Sequence, residues 1–171
     1  LGFRGEALPS IAAVSRSVIT TRQPLEPGGF RLELLWGETV FSGTQGCPAG
    51  TAVEVSDLFG NLPARRKFLR SASAETSRIQ ELVSRYALVF PGIRFQLLVD
   101  GRVSFTSPGN GLPREALLAV YGPQAATAML EVHGEDSETG YQVDGFAGAP
   151  SLTRANRTYM TFFVNRRWVQ S

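Results

Sequence analysis

Residues 50–69 read GTAVEVSDLFGNLPARRKFL, and this stretch decides the fold class. Pro48-Ala49-Gly50 makes a turn entry, and Val53 and Val55 then alternate with Glu54 and Ser56. Two-residue alternation puts one set of side chains on each face of a pleated strand, so 51–59 is predicted as a half-buried strand that ends in the apolar corner Leu58-Phe59. Asn61-Leu62-Pro63 then opens a short helix, because a first helical turn has no use for the N–H that proline lacks. Arg65, Arg66 and Lys67 make that helix basic, and Phe68 and Leu69 are expected to anchor it to the core.

The neighbouring segments give the same mixture. Upstream, 5–15 (GEALPSIAAVS) predicts a glycine-entered turn into a short helix, and Ser17–Arg22, Phe30–Trp36 and Thr39–Thr44 predict antiparallel strands. Turns at 27–29 (Pro-Gly-Gly) and at Gly37-Glu38 separate them. Downstream, Ile79, Leu82, Val83, Tyr86 and Phe90 recur with helical spacing and predict an amphipathic helix over 74–90, stopped by Pro91-Gly92. Asp100-Gly101 between two β-rich runs, 93–99 and 102–106, is a strong hairpin signal. Five turn formers at 107–111 read as a linker or domain seam. Beyond it, 113–121 predicts a helix with Leu117, Leu118 and Tyr121 on one face, and 128–132, 141–147 and 158–164 predict strands. The fold class is therefore α+β.

Composition narrows the functional classes. With 43% apolar and 19% charged residues the 171-residue chain can bury a core, and its net charge of +2 does not by itself demand a polyanion. Of 17 cations only Lys67 is lysine, and they cluster: Arg65, Arg66, Lys67 and Arg70, then Arg154, Arg157, Arg166 and Arg167, with an acidic stretch from Glu131 to Asp144 between. Arginine forks suit phosphate contacts, although a GC-rich genome has the same effect on composition. One cysteine, Cys47, and one histidine, His133, exclude an internal disulfide and a Cys/His zinc site, and fit a reducing, cytoplasmic setting. No apolar run approaches the roughly 20 residues of a membrane span. The chain begins at Leu1, which suggests a start partway through a longer protein and an apolar sheet face left without its cover.

Three stretches could carry chemistry. Gly2-Phe3-Arg4-Gly5-Glu6-Ala7-Leu8 places two glycines and a guanidinium before a helix, where backbone N–H groups can meet a phosphate; an ordinary glycine turn has the same spelling. Thr51 could set its hydroxyl against a ligand base or a buried water, or make a turn hydrogen bond. Asn165-Arg166-Arg167-Trp168 ends an apolar strand with two cations and an indole, which suits nucleic-acid backbone, as does a surface turn with Trp168 packed inward. His133 has no nucleophile in a recognisable setting nearby and is assigned no role.

GFRGEAL at 2–8, GTAVEVSDLFGNLPARRKFL at 50–69 and FFVNRRWV at 162–169 together resemble the N-terminal ATPase region of the MutL family of DNA mismatch-repair proteins. The resemblance implies residues 1–107 as the C-terminal part of a GHKL ATPase α/β sandwich, the class of type II topoisomerase ATPase subunits, Hsp90 chaperones and histidine kinases. Residues 108–171 would then begin an S5 domain 2-like transducer domain. It further implies that Gly2, Phe3, Arg4, Gly5, Ala7 and Leu8 lie at the end of the ATP lid against the triphosphate, that Thr51 sits by the adenine pocket, and that Arg167, with Arg166 beside it, faces DNA. The family usually has Gly where this chain has Arg166, which adds a cation and leaves the turn geometry open, since glycine serves a positive φ there.

The family's catalytic Glu, Mg-binding Asn and adenine-binding Asp belong to motifs upstream of GFRGEAL, and a transducer lysine lies downstream, so this stretch alone is expected to be inactive and to hold no nucleotide stably. For the parent, the resemblance implies ATP and Mg2+ as cofactors and an ATP-dependent N-terminal dimer around DNA. Its partners would be a mismatch-recognition protein of the MutS family and a strand-incision nuclease, with no membrane and a cytoplasmic, nucleoid-associated location in a bacterium. The alternative is a degenerate GHKL-fold module that binds DNA or protein without turnover.

Overall fold

The computed structural model describes residues 5–153 and 159–169. They fall into two compact units, Gly2–Ser71 and Ala72–Ser171.

The first unit is an antiparallel sheet with a short helix on one face. Helix α1 (Ala7–Ala12) leads into β1 (Arg16–Arg22), β2 (Gly29–Leu35), β3 (Glu38–Gln45) and β4 (Gly50–Ser56), in the spatial order β3-β2-β1-β4. The alternation read in the sequence is realised as register, but β4 ends at Ser56 and all seven of its residues are exposed, so the half-buried strand expected over 51–59 is shorter and uncovered. Ser17 lies opposite Leu34 and Val55, Ile19 opposite Leu32 and Val53, and Thr21 opposite Phe30 and Thr51, so these side chains share one face. The other face carries Arg16, Arg31 and Glu33, with Glu33 accepting bonds from both arginines at 2.5 and 3.1 Å. Helix α1 is tied down at its end by buried Ser15, whose hydroxyl donates to the Ile11 carbonyl at 2.7 Å and pairs with that of Ser17 at 2.9 Å.

Between β2 and β3 the turn residues are Trp36 (φ 53) and Gly37 (φ 88), one position earlier than the sequence predicted. A two-residue hairpin loop with both central φ values positive matches the right-handed twist of the strands, and here it forces a tryptophan into the left-handed region. Trp36 lies close against Gly60 in the corner after β4, where a β-carbon would come within 2.4 Å of the indole. Helix α2 (Pro63–Arg66) follows as predicted, with proline in its first turn. Its expected anchor is overturned, because Phe68 is 84% exposed and Leu69 is exposed as well. The helix has only four residues, so both side chains fall past its end, while Leu62 just before it is half-buried.

The second unit begins with α3 (Ala72–Val89), continues through the hairpin β5 (Gln96–Val99) and β6 (Arg102–Thr106), and reaches α4 (Pro113–Thr127). Asp100 (φ 49) and Gly101 (φ 75) form the predicted hairpin turn. Strand β5 starts at Gln96, later than expected, because Ser107 captures the residues before it. Its buried hydroxyl accepts from the Phe95 N–H at 2.9 Å and donates to the Ile93 carbonyl at 3.3 Å. The turn-rich stretch 107–111 thus lies within the unit and is pinned there, with Gly109 close against the backbone of Arg94.

Helix α4 runs beyond the predicted Tyr121 but is interrupted at Gly122 (φ 80, ψ 169), which precedes Pro123. Leu117 is buried while Leu118 is exposed, so only part of the expected face is covered. Arg114 in its first turn donates to the carbonyls of Ala126 and Met129 at 3.2 and 3.3 Å, closing the bent helix on itself. Two further hairpins complete the unit: β7 (Met129–Asp136) with β8 (Tyr141–Gly148), and β9 (Phe162–Val164) with β10 (Arg167–Val169). The strand expected over 158–164 is thus limited to 162–164, and Thr158 lies outside the described residues.

Candidate functional site

In the first unit the shared sheet face and α1 enclose an apolar cleft of about 280 Å³, lined among others by Leu8, Ile11, Ile19, Leu32, Val53 and Val55. Thr51 projects from the same face as Val53, because residues two apart on a strand point the same way. Its hydroxyl lies 2.7 Å from that of Thr21, directly opposite in register. The motif therefore brings Thr51 and Leu8 to one face, with an apolar wall and a paired hydroxyl able to present either a proton or a lone pair to a ligand.

Gly5 and Ala7 are exposed at the start of α1. Six residues of helix span only about 9 Å, so the helix dipole contributes little to anion binding here. Gly2, Phe3 and Arg4 lie outside the described residues. Thr21 is the residue that sequence reasoning missed. A threonine in a β-branched run carries no signal of its own, and only the register with β4 shows its partner.

In the second unit β9 and β10 form a tight hairpin in which Val164 faces Arg167 and Phe163 faces Trp168. Asn165 (φ 49) and Arg166 (φ 62) occupy the two turn positions, so Arg166 adopts the conformation for which glycine is suited. Both arginines are exposed and lie next to one another at the tip. Trp168 is 38% exposed, and its ring is covered by the guanidinium of Arg85 from α3, 4.0 Å from the centroid. Arg154 and Arg157 of the same sequence cluster lie outside the described residues.

His133 pairs across β7 and β8 with Asp144, Nδ1 to Oδ1, at 2.6 Å. Both are exposed, and no nucleophile joins them. At the end of that hairpin the Asp136 carboxyl is held below its ordinary pKa, chiefly by the hydrogen bond from the Thr139 hydroxyl and next by the Glu138 N–H. Among the described residues no group of three or more His, Cys, Asp and Glu could hold a metal ion, and no helix is long and apolar enough to cross a membrane.

Residues 117–171 match the family described as DNA mismatch repair protein, C-terminal domain. Over 170 residues the chain is 48% identical to the DNA mismatch repair protein MutL of Heliobacterium modesticaldum, covering 99% of this chain and 26% of the relative. It is 46% identical to the MutL of Desulforudis audaxviator, covering 100% of this chain and 30% of that one. The chain thus spans between a quarter and a third of the length of these curated relatives. Among solved structures, the Aquifex aeolicus MutL ATPase domain complexed with ADP superposes with a TM-score of 0.80 at 32% identity, over 97% of this chain and 63% of that one. The ATPase domain of the Aquifex aeolicus MutL mismatch repair endonuclease gives 0.71 at 28% identity, over 99% and 65%.

Proposed function

We propose, from the premise that the chain belongs to the MutL family of DNA mismatch repair proteins, that it forms one wall of a nucleotide site and the start of a DNA-facing domain in an ATP-dependent repair clamp. The observation that carries this reading is the register that sets Thr51 beside Thr21 on the face walled by Leu8, Ile19 and Val53. A flat, aromatic base fits an apolar cleft with one oriented hydroxyl at its edge. That the Aquifex relative was solved with ADP supports a nucleotide as the occupant.

In the parent protein ATP and Mg2+ are the cofactors, and the nucleotide supplies the phosphate chemistry. The residues of this chain act on its surroundings. Ile19 and Val53 exclude water from the base, and Thr21 fixes the direction of the Thr51 hydroxyl. Gly5, Ala7 and Leu8 lie toward the phosphates, and the family motif assigns Gly2, Phe3 and Arg4 to the same role. By the resemblance, residues 1–107 make up the end of the GHKL domain and 108–171 the start of the transducer; the family match that begins at residue 117 supports this division, while the compact-unit boundary after Ser71 falls inside the first of these segments.

Arg166 and Arg167 meet the DNA backbone. Nucleotide binding closes two N-terminal regions around DNA and hydrolysis reopens them, which links a MutS-family mismatch sensor to an incising nuclease in the cytoplasm.

The reading is tested in the full-length parent by titrating a fluorescent ATP analogue. Thr51→Val keeps the shape of the side chain and removes the hydroxyl, and should weaken binding by about two- to tenfold, the size of one hydrogen bond. Unchanged affinity refutes the assignment of Thr51. No nucleotide affinity in the wild-type parent would favour a module that binds DNA or protein without turnover.

A further inference from the structure

The stack between α3 and the basic hairpin has a role that neither motif reveals. Arg85 is only 18% exposed, and its guanidinium is held from below by an ion pair with Glu81, one helical turn earlier. From that position its central carbon lies over the Trp168 ring, 4.0 Å from the centroid. Trp168 follows Arg167 directly and pairs across the hairpin with half-buried Phe163. A two-stranded ribbon of three residues per strand cannot hold itself in water, so the hairpin needs an outside brace. Among the described residues Arg85 is the cation that stacks on this ring.

We infer that Arg85 is a positioning residue for the DNA-facing hairpin: braced by Glu81, it clamps Trp168 and so fixes where Arg166 and Arg167 present their charge. This rests on the proposed DNA face at Arg166 and Arg167. Arg85 already donates to Glu81 and lies over the indole, and both contacts serve to hold Trp168 in place. A planar guanidinium suits this task better than an ammonium, since it can stack and donate in its plane at once.

The test uses the full-length parent labelled with 5-fluorotryptophan, with the Trp168 resonance assigned through Trp168→Phe, and duplex DNA titrations at several salt concentrations. Arg85→Ala should shift and broaden the Trp168 resonance and weaken DNA binding by about three- to tenfold, the scale of a partly shielded cation–π contact. The slope of log affinity against log salt should stay at its wild-type value, because no phosphate contact is removed. Arg85→Lys should recover only part of the affinity. Glu81→Gln, which loosens the brace without removing stacking atoms, should move the resonance and the affinity in the same direction by a smaller amount.

A salt slope reduced by about one in Arg85→Ala would make Arg85 a direct phosphate contact and overturn the inference. So would an unmoved Trp168 resonance with unchanged affinity. Arg167→Glu in parallel separates the two levels. If it weakens binding while Arg85→Ala does not, the DNA face stands and the role of Arg85 falls. If Arg167→Glu is silent, the face itself is misplaced and the inference falls with it.

Discussion

Replacing Arg166 by glycine should make the hairpin more stable and its DNA binding weaker. Arg166 sits at φ 62 in the second turn position after Asn165 at φ 49, so the variant creates Asn-Gly, the sequence best matched to a turn with two positive φ values. A β-carbon in the left-handed region costs about 1–2 kcal/mol, and glycine returns about 0.4–1 kcal/mol of that through the greater freedom of its unfolded chain. The net gain is about 0.5–1 kcal/mol. Native-state hydrogen exchange reads this locally, as about two- to fivefold more protection of the amides bonded between β9 and β10. Arg166→Ala is the control, since it removes the guanidinium but keeps the strained β-carbon, and it should show no such gain. The same Arg166→Gly protein should lose DNA affinity with a salt slope smaller by about one. If Arg166→Gly and Arg166→Ala give equal protection, the turn is not strained and the reasoning fails.

Other outcomes follow from the packing. Ser107→Ala removes the acceptor of the part-buried Phe95 N–H and should cost about 1 kcal/mol in urea unfolding, whereas a change near zero would mean the loop at 93–95 re-forms its bonds elsewhere. Gly109→Ala places a β-carbon 2.5 Å from the Arg94 nitrogen at φ 72 and should cost about 2 kcal/mol or more, measured the same way. The Glu33 carboxyl is held below its ordinary pKa, first by the hydrogen bond from Arg16 and then by that from Arg31. A depressed carboxylate stabilises the fold above its unfolded pKa and loses that contribution as the pH falls through the lower, folded value. Glu33→Gln should therefore flatten the acid limb of a stability-against-pH curve, and an unchanged limb would refute it.

The sequence disclosed what local physics controls. Alternation at 30–34 and 53–56 reported the sheet faces because the strand period is two, and Asp100-Gly101 announced its turn because few other pairs adopt two positive φ values at low cost. Periodicity in α3 showed which stripe is apolar without showing what covers it. Ile79, Leu82 and Tyr86 are more than 40% exposed, while the side chain fully buried in α3 is Ala87. Small residues such as Ala87, Ala116 and Ala125 mark close backbone approach, which hydrophobic pattern cannot display. Trp36 at a positive φ had no local signal at all. At the candidate sites the motifs pointed to Thr51 and Arg167, whereas the contacts of Thr21 and Arg85 arise from register and tertiary packing, which spacing does not display.

The break in α4 at Gly122-Pro123 bears on the order in which the second unit acquires structure. It divides the helix into two runs, each shorter than the roughly 12–15 residues at which an alanine-rich peptide becomes marginally helical by itself. Neither run can nucleate unaided, so both wait for the buried seats of Ala116, Leu117, Ala125 and Ala126 and for the bonds from Arg114 to the far end. Local helix formation is thereby made dependent on tertiary assembly. A bend that closes late predicts that mutations at those seats speed unfolding more than they slow folding, which the two limbs of a chevron plot measure.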